Sequence, residues 1–76
     1  MPPLPVVAAQ DCIAVLRKFG YEVARQKGSH VRLVCSGRNP VSVPVHQGQT
    51  LKRGTLRAIL READISVEDF VAVLSR

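Results

Sequence analysis

Gly20-Tyr21-Glu22-Val23-Ala24-Arg25-Gln26-Lys27-Gly28-Ser29-His30-Val31-Arg32-Leu33-Val34-Cys35 carries the pattern that decides the fold. Two runs of alternating side chains flank a Lys27-Gly28-Ser29 turn, and alternation of period two marks strands with one buried face. In the first run, Tyr21 to Gln26, alternation puts Tyr21, Val23 and Arg25 on one face. In the second, Val31, Leu33 and Cys35 share a face, and His30, Arg32 and Val34 take the other. Ser36-Gly37-Arg38-Asn39-Pro40 is dense in turn formers and reads as a second hairpin loop. Beyond it Val41, Val43 and Val45 alternate with Ser42 and Pro44, and a proline inside the run predicts an edge strand or a strand end.

Helical spacing takes over on both sides of these strands. Upstream, Cys12, Ile13, Leu16 and Phe19 recur at intervals of three and four, with Arg17 and Lys18 in the last turn and Gly20 as the stop. The helix starts near Ala8 or Ala9, where no good capping side chain is present. Residues 1–7, rich in proline, should be extended, because proline fixes φ and removes backbone donors. Downstream of His46-Gln47-Gly48-Gln49, Leu56, Ile59 and Leu60 form an apolar stripe, Thr55 is a candidate cap, and Asp64 ends the helix. Ser66, with Asp69 three residues on, starts a last short helix whose Val67, Phe70, Val71 and Leu74 face inward. The expected fold is α+β: a small α-β-β-β-α domain with a three-stranded antiparallel sheet and a short C-terminal helix. Helices covering one sheet face leave the other to solvent, and His30 and Arg32 belong to that open face or its rim.

A chain of 76 residues makes a single domain, and at this size it buries only about 60–65% of its unfolded surface. With two Phe, one Tyr and no Trp, its core must be aliphatic. Eleven Lys and Arg against six Asp and Glu give a net charge of +5, and eight of the eleven are Arg. That balance favours a polyanionic partner, and the arginines suit bidentate contact with phosphate. Cys12 and Cys35 lack zinc-site spacing and read as small buried hydrophobes rather than a disulfide or a nucleophile. The opening Met1-Pro2-Pro3-Leu4-Pro5 has neither a charged leader nor a long apolar run. This argues against a signal peptide or membrane span and for a cytoplasmic protein.

Taken from the residues alone, His30 suits proton transfer beside a phosphate and serves equally well as the polar end of a strand. Arg25, Lys27 and Arg32 are candidate phosphate contacts. Gly28 allows a backbone turn that brings N–H groups towards an anion, and Ser29 adds a hydroxyl. His46 ends the third strand, at the same end of the sheet as His30, and is a candidate second acid or base, against a role in the turn. Lys52, Arg53 and Arg57 open the long helix. Cations there oppose the helix dipole, so they suit either an anion seat or an acidic partner.

Four segments in order resemble one family, the HicA-type (YcfA-like) toxins. They are Gly20-Tyr21, Arg25-Gln26-Lys27-Gly28-Ser29-His30, Val43-Pro44-Val45-His46 and Leu51-Lys52-Arg53-Gly54-Thr55-Leu56-Arg57-Ala58-Ile59-Leu60, with Ile65-Ser66-Val67-Glu68-Asp69-Phe70 fitting the usual ending. The resemblance spans about Leu16 to Leu74. It implies a fold like that of double-stranded-RNA-binding domains, metal-independent cleavage of mRNA, and neutralisation by a HicB-type antitoxin. It also implies that the histidine of the Gly-Ser-His motif, here His30, is catalytic; many relatives have a second histidine next, where this chain has Val31.

The expectation is therefore an endoribonuclease toxin that cuts through the RNA's own 2′-OH with His30 as its catalytic residue. Arg25, Lys27, Gly28, Ser29, Arg32, Lys52, Arg53 and Arg57 would contact RNA. No cofactor, metal, membrane or small-molecule ligand is expected. Two alternatives are a non-catalytic RNA-binding module of similar fold and a domain whose basic face meets only an acidic protein.

Overall fold

The computed structural model of the chain describes residues 3–46 and 48–76. Met1 and Pro2 of the expected extended segment, and Gln47 of the loop before the long helix, lie outside them. The element order is α1 (Ala9–Lys18), β1 (Glu22–Lys27), β2 (His30–Cys35), β3 (Arg38–Pro44), α2 (Arg53–Ala63) and α3 (Val67–Leu74). The strands form one antiparallel sheet in the order β1-β2-β3. This is the α+β order read from the sequence.

Helix ends explain how so short a chain turns so sharply. At the end of α1, Tyr21 N–H donates to Leu16 O at 3.1 Å and Gly20 N–H to Arg17 O at 3.0 Å, with Gly20 at φ +106°. These are the paired bonds of a Schellman motif, which needs a left-handed residue and so favours glycine. The end of α2 repeats it: Ile65 N–H donates to Leu60 O and Asp64 N–H to Arg61 O, with Asp64 at φ 57°, ψ 46°. Aspartate is one of the few side chains that visit this region. Ser66 Oγ accepts from Asp69 N–H at 3.0 Å to cap α3. Thr55 does not cap α2: the N-cap position is Lys52, with no side-chain cap bond.

The inner face of the sheet carries Val31, Leu33, Val41 and Val43, all buried. Cys12, Val15 and Leu16 of α1, Leu56, Ile59, Leu60 and Ala63 of α2, and Phe70 of α3 complete the core. Leu4 and Val7 of the N-terminal segment join it as well. That segment is held by Leu51 N–H donating to Val7 O at 2.8 Å and by a bridge between Ala8 and Thr50. Tyr21 precedes β1 and is buried, its hydroxyl donating to Asn39 O at 2.7 Å. Burial pushes the phenol above its ordinary range, so it stays a donor.

Strand boundaries differ from the sequence reading: Lys27 belongs to β1 rather than to the turn, and Val45 lies beyond the end of β3. Arg38, Asn39 and Pro40 belong to β3 rather than to the loop, leaving Ser36 and Gly37 as the connection. Register slips between Leu33↔Val41 and Cys35↔Arg38, so Pro40 sits at an irregularity of an edge strand, where its missing donor is tolerated. In β1, register slips between Val23↔Leu33 and Arg25↔Arg32, making Ala24 the extra residue of a bulge.

Arg38 ties three elements together. Its Nη1 donates to Ala63 O at 2.7 Å and Asp64 O at 3.1 Å, and its guanidinium lies 5.7 Å from the centre of the Phe19 ring. The end of β3 nearest the Ser36-Gly37 loop is thus latched to the end of α2, with the ring at the end of α1 beneath. Arg38→Ala is expected to cost about 1–2 kcal/mol, the lower end for a charge-assisted bond because solvent reaches the group. At this size each kcal/mol lowers the melting midpoint by about 4–8 °C. A thermal melt with an unchanged midpoint would show that the latch contributes nothing.

Both cysteines are free. Burial raises the Cys12 thiol to about 12, so no thiolate forms there at neutral pH. Cys35 is half-buried. A maleimide reagent should therefore modify native protein once, at Cys35, and reach Cys12 only after denaturation; mass spectra of native protein carrying two adducts would contradict this.

Candidate functional site

Lys27 and His30 pair in register across a two-residue loop, Gly28-Ser29. Gly28 has φ +59° and open space around its absent side chain, so the backbone alone requires glycine here. A positive φ at the first loop residue is what a type II′ hairpin turn demands. The tight turn fixes the face on which the first residue of β2 emerges. His30 is exposed, on the face opposite the buried Val31 and Leu33.

Directly paired residues in a sheet share a face. The open face therefore carries Lys27 beside His30, Arg25 beside Arg32, and, on β3, Ser42 beside Arg32 and Pro44 beside His30. Arg32 Nη1 donates to Ser42 Oγ at 3.1 Å. Plain alternation had assigned Arg25 to the face of Tyr21 and Val23; the bulge at Ala24 overturns this and moves it beside Arg32. The only acidic residue paired on this face is Glu22, at its far end opposite Val34.

Ser29 ties the hairpin to the end of β3, its carbonyl accepting from Val45 N–H. That bond, with the His30↔Pro44 pairing, brings the start of β2 and the end of β3 to one end of the sheet. His46 is exposed there and lines a cleft of about 200 Å³ with Pro44, Gln49, Thr50, Lys52 and Thr55. Pro44, the register partner of His30, thus forms one wall of the cleft that His46 enters.

The eight residues expected to contact RNA fall into separate groups. Arg25, Lys27 and Arg32 gather with His30 on the open face, beside the Gly28-Ser29 turn. Lys52 and Arg53 are exposed at the start of α2. A groove of about 830 Å³ runs between Arg32 and Ser42 on one side and Gly54, Thr55 and Ala58 of α2 on the other. Arg57 lies elsewhere, in a small cleft with Leu60, Ile65 and Ser66. Ser42 and Asn39, which also lines the groove, were missed in the sequence. Nothing in their local pattern distinguishes them from solvent-facing strand residues.

No group of three or more His, Cys, Asp or Glu side chains that could hold a metal ion occurs among the described residues. No described helix is long and apolar enough to cross a membrane.

Helices on one side of a three-stranded sheet, and cations with an exposed histidine on the other, define a small basic α+β domain with an accessible cationic face. Residues 9–65 match the family model described as the HicA toxin of bacterial toxin-antitoxin. The chain belongs to the HicA toxin family. It is thus a member of a toxin family whose systems pair toxin with antitoxin. The matched segment begins at the first residue of α1 and stops before α3, so the Ser66–Phe70 ending lies beyond it. No curated protein matches the chain.

Proposed function

We propose that this HicA-family toxin is an endoribonuclease that cleaves mRNA without a metal, with His30 as its catalytic residue, and that a HicB-type antitoxin neutralises it. The observation that carries the proposal is the exposed imidazole of His30, in register with Lys27 and on one face with Arg25 and Arg32.

The chemistry needs little more than this. RNA brings its own nucleophile, the 2′-OH beside each phosphorus. A base accepts the 2′-OH proton as the oxygen attacks, a pentavalent phosphorane forms, and the P–O5′ bond breaks as the leaving oxygen takes a proton. An imidazole suits the proton transfer because histidine ordinarily titrates near neutrality. Lys27, Arg25 and Arg32 suit stabilisation of the phosphorane's negative charge. His46, at the same end of the sheet, is the candidate for the second proton transfer.

Incubation of purified protein with a labelled single-stranded RNA, with and without EDTA, tests the proposal. The expected products are a 2′,3′-cyclic phosphate and a 5′-OH, formed at the same rate in chelator. Intact RNA in both arms, with the protein folded and binding it, would leave the non-catalytic RNA-binding module as the function.

A further inference from the structure

We infer that the open face of the sheet is the track for one extended RNA strand, with Arg25 and Arg32 holding phosphates next to the one beside His30. This rests on the reading of the chain as a ribonuclease and adds to it the path and strandedness of the substrate.

The placement of charge is the first argument. Arg25 stands directly opposite Arg32, and Lys27 directly opposite His30, on one exposed face. Like charges directly opposite destabilise a sheet, so the Arg25–Arg32 pair is a cost that a bound polyanion would offset. The bulge is the second. The hairpin turn pairs Lys27 with His30, and alternation from there sets Arg25 opposite Arg32. The extra residue, Ala24, lets Val23 and Tyr21 return to the inner face without turning these cations inward. Bulges are enriched where a side chain is re-aimed beside a functional site.

Arg32 is also oriented. Its bond to Ser42 Oγ fixes the guanidinium while leaving further N–H donors for a phosphate fork. Residues two apart on one strand stand about 7 Å apart. His30 and Arg32 are so related, a spacing comparable to that of successive phosphates in an extended strand. A duplex reader, by contrast, contacts two successive minor grooves and the phosphates between them, whereas these cations gather on one hairpin face. The face also carries no aromatic side chain, so it grips backbone and gives little base discrimination.

Binding of a 2′-O-methyl oligoribonucleotide, followed by fluorescence anisotropy across a salt series, tests this. The probe lacks the nucleophile, so affinity is read apart from cleavage and from any failure of His30 as catalyst. Arg25→Gln and Arg32→Gln should each lower the log–log salt slope by about 0.7, the value for one phosphate contact on a single strand. The doubly substituted protein should melt no lower than the parent, since a like-charge pair is relieved. Arg→Lys replacements should restore the slope. A Lys52→Gln/Arg53→Gln variant should change it less, and a blunt duplex should bind more weakly and ignore all these changes. The proposal falls if the Arg25→Gln/Arg32→Gln protein keeps the parental slope, or if only the α2 variant lowers it. It falls equally if that protein keeps RNA affinity but loses its antitoxin, which would make the face a protein-docking surface.

Discussion

His30→Ala is expected to slow RNA cleavage by about 10²–10⁴-fold, the usual contribution of a positioned acid or base, without altering the melting midpoint. The two halves of that expectation have separate causes. His30 is exposed at the first position of β2, and the neighbouring turn is set by the backbone of Gly28, so removing the ring leaves the interior and the turn intact. Truncation removes the only imidazole on the open face among the described residues, while Lys27, Arg25 and Arg32 remain to hold RNA. The variant should therefore bind RNA as tightly as the parent and fail to cut it, and its expression should no longer arrest growth. Cleavage by the His30→Ala protein at the parental rate would refute the assignment. His46→Ala in the same assay asks whether a second group moves a proton. A comparable loss assigns it, and a parental rate returns His46 to a turn role.

Phe70→Ala should have the largest effect on stability, about 3–5 kcal/mol for deletion of a fully buried aromatic ring. Phe70 is the only buried residue of α3, so this one ring anchors the helix to the core. At roughly 0.05–0.15 kcal/mol per residue, a domain this size holds about 4–11 kcal/mol in all. The loss is thus a large part of the total, and the urea midpoint should fall steeply. Phe70 also lies beyond the segment matched to the family, residues 9–65. The measurement therefore asks whether α3 is integral to the fold. A midpoint unmoved by the substitution would mean that α3 sits on the domain without contributing to it.

Most of the fold was legible because local signals and global packing agree. Alternation from His30 to Cys35 assigned the buried and open faces of β2 correctly, since a central strand under helices has one apolar face. Ser66, Asp64 and Gly20 marked helix ends through their own backbone chemistry. Failures came where tertiary context decided. Arg38 looked like a loop residue because its neighbours form turns, yet its bonds to Ala63 and Asp64 lie 25 and 26 positions away. Thr55 was read as a cap because it stands near the start of α2, but the helix begins two residues earlier. For the candidate site, the open-face position of His30 and Arg32 followed from alternation, while that of Arg25 did not. The warning was present: unbroken alternation would have placed an arginine among Tyr21 and Val23, facing the core. Such a conflict between pattern and polarity signals an inserted residue.

Ala24 is consequently the spare residue of the first strand, the one position there without a partner across the ladder. Loss of its codon would remove the bulge yet leave Val23 opposite Leu33 and Arg25 opposite Arg32 as consecutive pairs. Every other side chain would keep its face, and only the local kink and added twist would go. Substitutions at Glu22, Arg25 and Lys27 can alter the outer surface one side chain at a time, whereas trimming the strand at Ala24 would leave the composition of that surface unchanged.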